Sequence, residues 1–381
     1  MTINQTNIHF ESRGIEFVVK TTEELSALQV SMQKHLDALQ LWQHVDVVIL
    51  SGNDTYQCTY KLKESAREQW APAWDTTRLY STMGIDSQKN TEDLDKEILV
   101  AMLMTTIPFT FPSFDELMSA ISIRHYVVNA GFKAALNFDT EAAERPTDYW
   151  HYDEEEGFLL NKGQSLIDGL IKATQPASYK EAYSFSCYRA TEYVVLLSIA
   201  QELNNVNPEL LRRMEVRSER SAIRSGEFHE TLLKEYGTLE NPFPMKYYVP
   251  GDRVWFRNPD DRSSDVTGYE GSWVIYLGHN LFTNFWKRDQ PYSLEEKCVE
   301  VYHWRDGVFV GDDGEPQMNE DIVASCVKQS MADPSKYQMI IDRMMRYRDP
   351  QGVYKDGGCI DASRESVRCV RPSTADLNFS D

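Results

Sequence analysis

A run that is apolar on nearly every side, from Tyr183 to Leu203, constrains this chain more than any other stretch. Ser184 and Ser186 are both suitable N-cap residues. Ala190, Tyr193, Val194, Val195, Leu196, Leu197, Ile199, Ala200 and Leu203 then leave no polar face. A helix hydrophobic all round belongs inside a large domain, with other elements packed about it. Cys187 falls in its first turn, where unpaired backbone N–H groups and the helix dipole favour an anion. The thiol is therefore expected to ionise more readily than a free one, as suits a nucleophile. The same position equally suits a small apolar residue, since free cysteine is among the most often buried types.

The rest of the chain can supply the surrounding core. It has 381 residues, 41% of them hydrophobic and 12% aromatic, which marks a folded chain long enough for more than one domain. The formal charge of -20 argues against nucleic-acid or anionic-membrane binding through bulk electrostatics. Six cysteines at irregular spacing, with no C-x-x-C pair, suit neither a disulfide scaffold nor a structural zinc site. The opening residues lack a basic and apolar leader, and no apolar run approaches the ~20 residues of a membrane span. The expectation is a cytoplasmic protein with no cofactor or metal.

Read in order, residues 14–20 form a strand and Thr21-x-x-Glu24 a capping box opening a helix. Residues 45–50 form a second strand, and residues 56–90 read as irregular. A short helix covers residues 93–106, and Ser113-x-x-Glu116 caps another that runs towards Ala135. Tyr149 to Tyr152, followed by Asp153 to Glu156, reads as an aromatic and acidic loop, and residues 162–174 as a helix. Beyond residue 236 the character turns to strands: 253–257, 271–278, 298–304 and 307–310. Helices over 322–331 and 335–347 precede a loop-like tail after Asp349. The pattern predicts α+β, with an antiparallel sheet following the central helix.

A catalytic thiol needs a polar partner and donors for an oxyanion. On the strand around Trp273, Glu270 and Ser272 stand two apart and so share a face. His279 follows the strand end, Asn284 comes soon after, and His303 lies on the next strand. Spacing alone does not choose among them.

Five ordered blocks narrow the choice. They are Phe111-Pro-Ser-Phe-Asp-Glu-Leu117 through Asn129-Ala-Gly-Phe-Lys-Ala-Ala135, Tyr149-Trp150, Ser184-Phe-Ser-Cys-Tyr-Arg-Ala190, Pro250-Gly-Asp-Arg-Val-Trp-Phe-Arg-Asn-Pro259, and Tyr269-Glu-Gly-Ser-Trp-Val-Ile-Tyr-Leu-Gly278. In order and spacing, over about residues 105–345, the chain resembles the bacterial protein-glutamine γ-glutamyltransferases of the spore-coat type. The resemblance implies a papain-like core, a buried cysteine-bearing helix packed on a small antiparallel sheet, with an extra N-terminal α/β elaboration. It implies residues 1–104 as that elaboration, 105–348 as the catalytic domain and 349–381 as the tail. It further implies a transglutaminase: a cysteine attacks a protein glutamine, releases ammonia and passes the acyl group to a lysine or small amine.

Cys187 matches the family's nucleophile. Ser186 stands where the family has an acidic residue before the cysteine, and Ser272 where it has its catalytic glutamate. Asn284 stands where it has a histidine, leaving Glu270 and His279 as substitutes. With these partners changed, two other functions remain open. One is a glutamine deamidase or a transferase from a carrier thioester to an amine. The other is a transglutaminase-like binding protein.

Overall fold

The computed structural model describes residues 9–52, 54–139, 143–178, 181–222, 225–349, 357–377 and 379. The N-terminal sheet forms first. Strand β1 (Ile15–Val19) leads into α1 (Thr22–Ala38), whose capping box closes as expected, with both the Thr21 and Glu24 side chains engaged. Strands β2 (Val45–Ser51) and β3 (Tyr56–Leu62) follow, then helices α2 (Glu64–Trp70), α3 (Leu79–Met83) and α4 (Thr91–Leu103). Residues 56–90 are thus ordered rather than irregular. Cys58, Tyr60 and Leu62 alternate inward on β3, while the intervening polar residues mask the strand in the sequence. The sheet runs β2-β3-β1-β4, with β4 (Phe109–Phe111) parallel to β1.

Ser113 then caps α5 (Phe114–Lys133), its hydroxyl accepting the Glu116 N–H at 3.2 Å. Glu116 does not close the box. Its carboxylate accepts the backbone N–H groups of Val370 and Arg371 and the Thr374 hydroxyl, tying the far end of the chain to α5. Short strand β5 (Asn137–Phe138) precedes the hairpin β6 (Trp150–Asp153) and β7 (Gly157–Leu160), which occupies the expected aromatic and acidic loop. After α6 (Leu166–Thr174) and β8 (Ser184–Phe185) comes the central helix, α7 (Cys187–Val206). It is enclosed as its composition requires: α5, α6, α8 (Pro208–Ser218) and one strand of the later sheet all pack against it.

Helix α9 (Ser225–Leu232) and strand β9 (Leu233–Tyr236) lead to the sheet that faces α7. There β10 (Arg253–Arg257), followed by a single turn α10 (Asp261–Ser264), pairs with β11 (Gly271–Gly278), and β11 with β12 (Leu281–Phe282), all antiparallel. Gly131 on α5 permits the approach of this sheet. A Cβ there would stand 3.0 Å from both the Leu277 and Thr283 side chains.

The next segment differs from the expected strand. Residues 298–304 belong to helix α11 (Leu294–Gly307), opened by a full capping box of Ser293 and Glu296. Leu294, Lys297, Cys298, Val301 and Trp304 are all buried, the i, i+3, i+4, i+7 stripe of a helix. That stripe prevails over the β-favouring Val299, Val301 and Tyr302. Strand β13 (Val308–Val310) forms, but pairs with β14 (Pro316–Met318) in its own hairpin, apart from the main sheet. Helices α12 (Glu320–Ala332) and α13 (Pro334–Met344) pack on α11 as a second core with β10 and β11.

The tail read as loop-like contains β15 (Arg364–Val367), antiparallel to β9, and Val370, Leu377 and Phe379 are buried in the first core. Residues 350–356 of that tail, and the opening residues 1–8, lie outside the described residues. Among the described residues no helix is long and apolar enough to cross a membrane.

Candidate active site

Cys187 is the first residue of α7, and Ser186 is its N-cap, with a hydroxyl that accepts the Arg189 N–H at 3.3 Å. Ser186 therefore serves the helix start. The sulfur lies where two clefts meet. The larger, about 500 Å³, is walled by Ser272, Asn284, Trp286, Lys297, Glu300 and Trp304. The smaller, about 290 Å³, is walled by Ser186, Tyr188, Trp255, Glu270 and Trp273. Phe138, Gly268 and Gly271 border both. Gly271 is required here, because a Cβ would lie 2.2 Å from the Trp255 indole nitrogen and 2.7 Å from the Phe256 carbonyl.

The expected partners are dispersed around this junction. Glu270 precedes β11, so strand parity does not govern it, and it opens on the smaller cleft while Ser272 opens on the larger. Asn284 lines the larger cleft, but both ends of its amide are used in the loop: Nδ2 donates to the Gln290 carbonyl at 3.0 Å and Oδ1 accepts the Lys287 N–H at 3.2 Å.

His279 does not join the sulfur. With Asn280 it forms the two-residue turn between β11 and β12, both at positive φ (56° and 57°), the conformation of a type I′ hairpin. Its N–H donates to buried Glu97 at 3.0 Å, and its ring stacks on Tyr80 with centroids 3.9 Å apart. Nor does His303. On α11 its Nδ1 meets Asp306 at 2.5 Å and its Nε2 meets Ser330 at 2.8 Å.

Lys297 is the residue the sequence reading missed. It is 3% exposed, its Nζ is 2.5 Å from Glu300, and it lies 3.6 Å above the Tyr292 ring. A lysine within the buried stripe of a capped helix was the available signal.

Burial holds the Cys187 thiol above its ordinary range, opposite to the expectation from its helix position. Hydrogen bonds from the Trp273 and Tyr188 backbones and the positive charge of Lys297 favour the thiolate, while Glu270 opposes it. The helix start acts in the expected direction, but desolvation of a charge buried beside apolar walls is larger. A sulfur with backbone donors, a nearby ammonium and two approaches can accept an acyl group from one cleft and release it towards the other.

The family profile of protein-glutamine gamma-glutamyltransferase matches residues 77–380. The chain belongs to this family. The match runs beyond the expected 105–345 at both ends, reaching back to the first residues that follow β3 and α2 and forward through β15. As a family member the chain is an acyltransferase enzyme of the transglutaminase type, with mixed helices and small sheets. Among solved structures it is similar to a transglutaminase from Geobacillus stearothermophilus (without C-terminal extension), at 17% identity and a TM-score of 0.40, over 57% of this chain and 98% of that one. No curated protein matches it.

Proposed function

We propose that Cys187 carries the γ-glutamyl group as a thioester in a protein-glutamine γ-glutamyltransferase reaction. The thiolate attacks the side-chain amide carbon of a protein-bound glutamine. The oxyanion draws on the Trp273 and Tyr188 backbone N–H groups, and the nitrogen takes a proton from solvent and leaves as ammonia. A lysine or small amine then attacks the thioester, loses a proton, and releases Cys187 with an isopeptide bond formed. Lys297 favours the thiolate by its charge. Glu270, from the smaller cleft, accepts the proton of the incoming amine. Ser272 and Asn284 shape the larger cleft. In this reading α7 on β10–β12 is the papain-like core, residues 105–348 carry the chemistry, and residues 1–104 are an elaboration.

The observation that supports this best is the sulfur at the meeting of two clefts, with backbone donors on one side and Lys297 on the other. The test is amine incorporation: a glutamine-rich protein and a fluorescent amine, with wild type beside Cys187→Ala. Label should appear with the wild type and vanish in the variant; equal label from both refutes the reading.

A second reading has an observation of its own. Neither cleft is lined by a histidine among the described residues, and a thioester donor demands less of a base than a primary amide. A carrier thioester, or water as acceptor, would then replace glutamine or lysine. Mass spectrometry separates them, since deamidation adds about one dalton to the donor and a carrier donor leaves an acyl adduct on Cys187.

A further inference from the structure

Away from the thiol, helices α11 and α12 bring three different metal-ligand types together. His303 and Asp306 stand one turn apart on α11, and Cys326 faces them from α12. A nitrogen, a carboxylate oxygen and a sulfur from these residues all lie within 4.8 Å of one another. We propose that these three residues bind one zinc ion, with water as the fourth ligand, clamping α11 to α12.

The chemistry of the set favours zinc. Mixed imidazole, carboxylate and thiolate donors suit Zn²⁺ in tetrahedral geometry, not magnesium or calcium, which take oxygen. Donors about 2.1 Å from a tetrahedral centre stand roughly 3.4 Å apart. The His303–Asp306 contact of 2.5 Å would open by about 1 Å, with the metal taking the place of the proton at Nδ1, which moves to Nε2 so that the imidazole stays neutral and donates to Ser330. The sulfur would close by a comparable amount.

Cys326 would bind as thiolate, giving its proton to solvent. With Asp306 it brings two negative charges to the doubly charged ion. The cluster therefore carries no net charge beside Arg305 and Lys336, the cations whose charge acts on His303. Ser330, four residues after Cys326 on the same face of α12, holds the other imidazole nitrogen at 2.8 Å, the outer hydrogen bond that orients a ligating histidine.

The competing use of these residues fails on burial. Ser330, His303 and Asp306 are connected in the order of a serine-hydrolase triad, but the Ser330 side chain has no solvent exposure. No acyl group can reach its hydroxyl. Cys326 and Asp306, by contrast, are open to an ion from solvent. The clamp would fix the helix pair that walls the larger cleft: Glu300 lies one turn before His303, and Lys297 one turn before that.

The test uses the full chain carrying Cys187→Ala, so that the reactive thiol offers no competing ligand. Equilibrium dialysis against Zn²⁺ should give one ion per chain, and Co²⁺ should give a thiolate-to-cobalt charge-transfer band. Adding Cys326→Ser should abolish the band, and Asp306→Asn should weaken zinc by about tenfold or more. Bound zinc should also raise the thermal midpoint. Absence of saturable binding, or a band that survives Cys326→Ser, overturns the proposal. Neither result bears on acyl transfer, which depends on a different sulfur.

Discussion

Lys297→Met isolates the one charge that favours the thiolate of Cys187, the proposed nucleophile, from within the larger cleft. Methionine matches the lysine stem in length and apolar character, so the buried stripe of α11 stays filled. The ammonium that faces Cys187 is lost, and Glu300, until then 2.5 Å from it, keeps a carboxylate without that partner. For one pair of unit charges, at an illustrative separation of about 6 Å and an effective dielectric of about 20, the interaction amounts to about 3 kcal/mol. In a cleft open to solvent, half of that is a fair allowance. Roughly 1.5 to 3 kcal/mol then corresponds to a 10- to 100-fold fall in thiolate at fixed pH.

The assay is iodoacetamide alkylation of Cys187, followed by mass spectrometry as pH is raised, with amine incorporation measured in parallel. Both should fall by that factor near neutral pH, and the alkylation profile should move to higher pH. Lys297→Met/Glu300→Gln should recover part of the loss, because the uncovered anion is removed as well. If the alkylation profile of Lys297→Met superimposes on that of the wild type while the fold is intact, Lys297 does not act on the sulfur. The electrostatic reasoning is then refuted.

Other perturbations have equally definite outcomes. His279→Gly should keep amine incorporation within about twofold, since glycine suits the turn's positive φ; a large loss would make the histidine catalytic after all. His279→Val at that φ should lower stability by about 1–3 kcal/mol, read from a urea midpoint. Arg124→Met breaks the buried ion pair of Arg124 and Asp252, 2.8 Å apart, and should cost about 3–5 kcal/mol by the same measurement. Burial alone would raise the Glu365 carboxyl, but the hydrogen bond from His229 and the charge of Arg253 overcome it and hold it below its usual range. Its ionised form is therefore favoured by folding. That stability is present above the ordinary carboxylate range of about 4.3 and is lost as pH falls below it. Glu365→Gln should flatten the acid limb of the stability profile, and an unchanged limb would show that other carboxylates set it.

Signals that are local in the chain were legible. The Thr21 and Ser113 caps need only residues three apart, and α7 announces itself by a run to Leu203 that is apolar on nearly every side. Elements whose cause lies elsewhere were not. Strand β15 contains one apolar residue, Val367, and exists because β9 offers it a ladder and Glu116 accepts the N–H groups just beyond it. The segment 298–304 failed for a different reason. Its β-branched and aromatic residues satisfy a strand reading within its own seven positions, and the deciding stripe begins earlier, at Leu294 behind the Ser293 cap.

That one misreading also hid the cation whose charge acts on Cys187. A strand over 298–304 leaves Lys297 in a preceding loop, where a lysine is an ordinary solvated charge; a helix from 294 turns it inward with Cys298 and Val301. Placing a cysteine at a helix start is a local matter, and Cys187 opens α7 as the local signals predict. Its ionisation is not local. The dipole of α7 contributes at short range, yet the outcome is set by what encloses the sulfur: β11 laid across it, apolar walls on both clefts, and an ammonium delivered by a helix from the second core. Ser272 and Asn284, which the resemblance sets at the family's acid and histidine positions, cannot carry charge at neutral pH. Charged assistance to the thiolate must therefore come from outside these two positions, beside the backbone donors of Tyr188 and Trp273, and among the residues lining the larger cleft Lys297 is the buried cation whose charge acts on the sulfur. Substituting the motif positions should then matter less than substituting Lys297, an ordering opposite to the one the motifs alone imply.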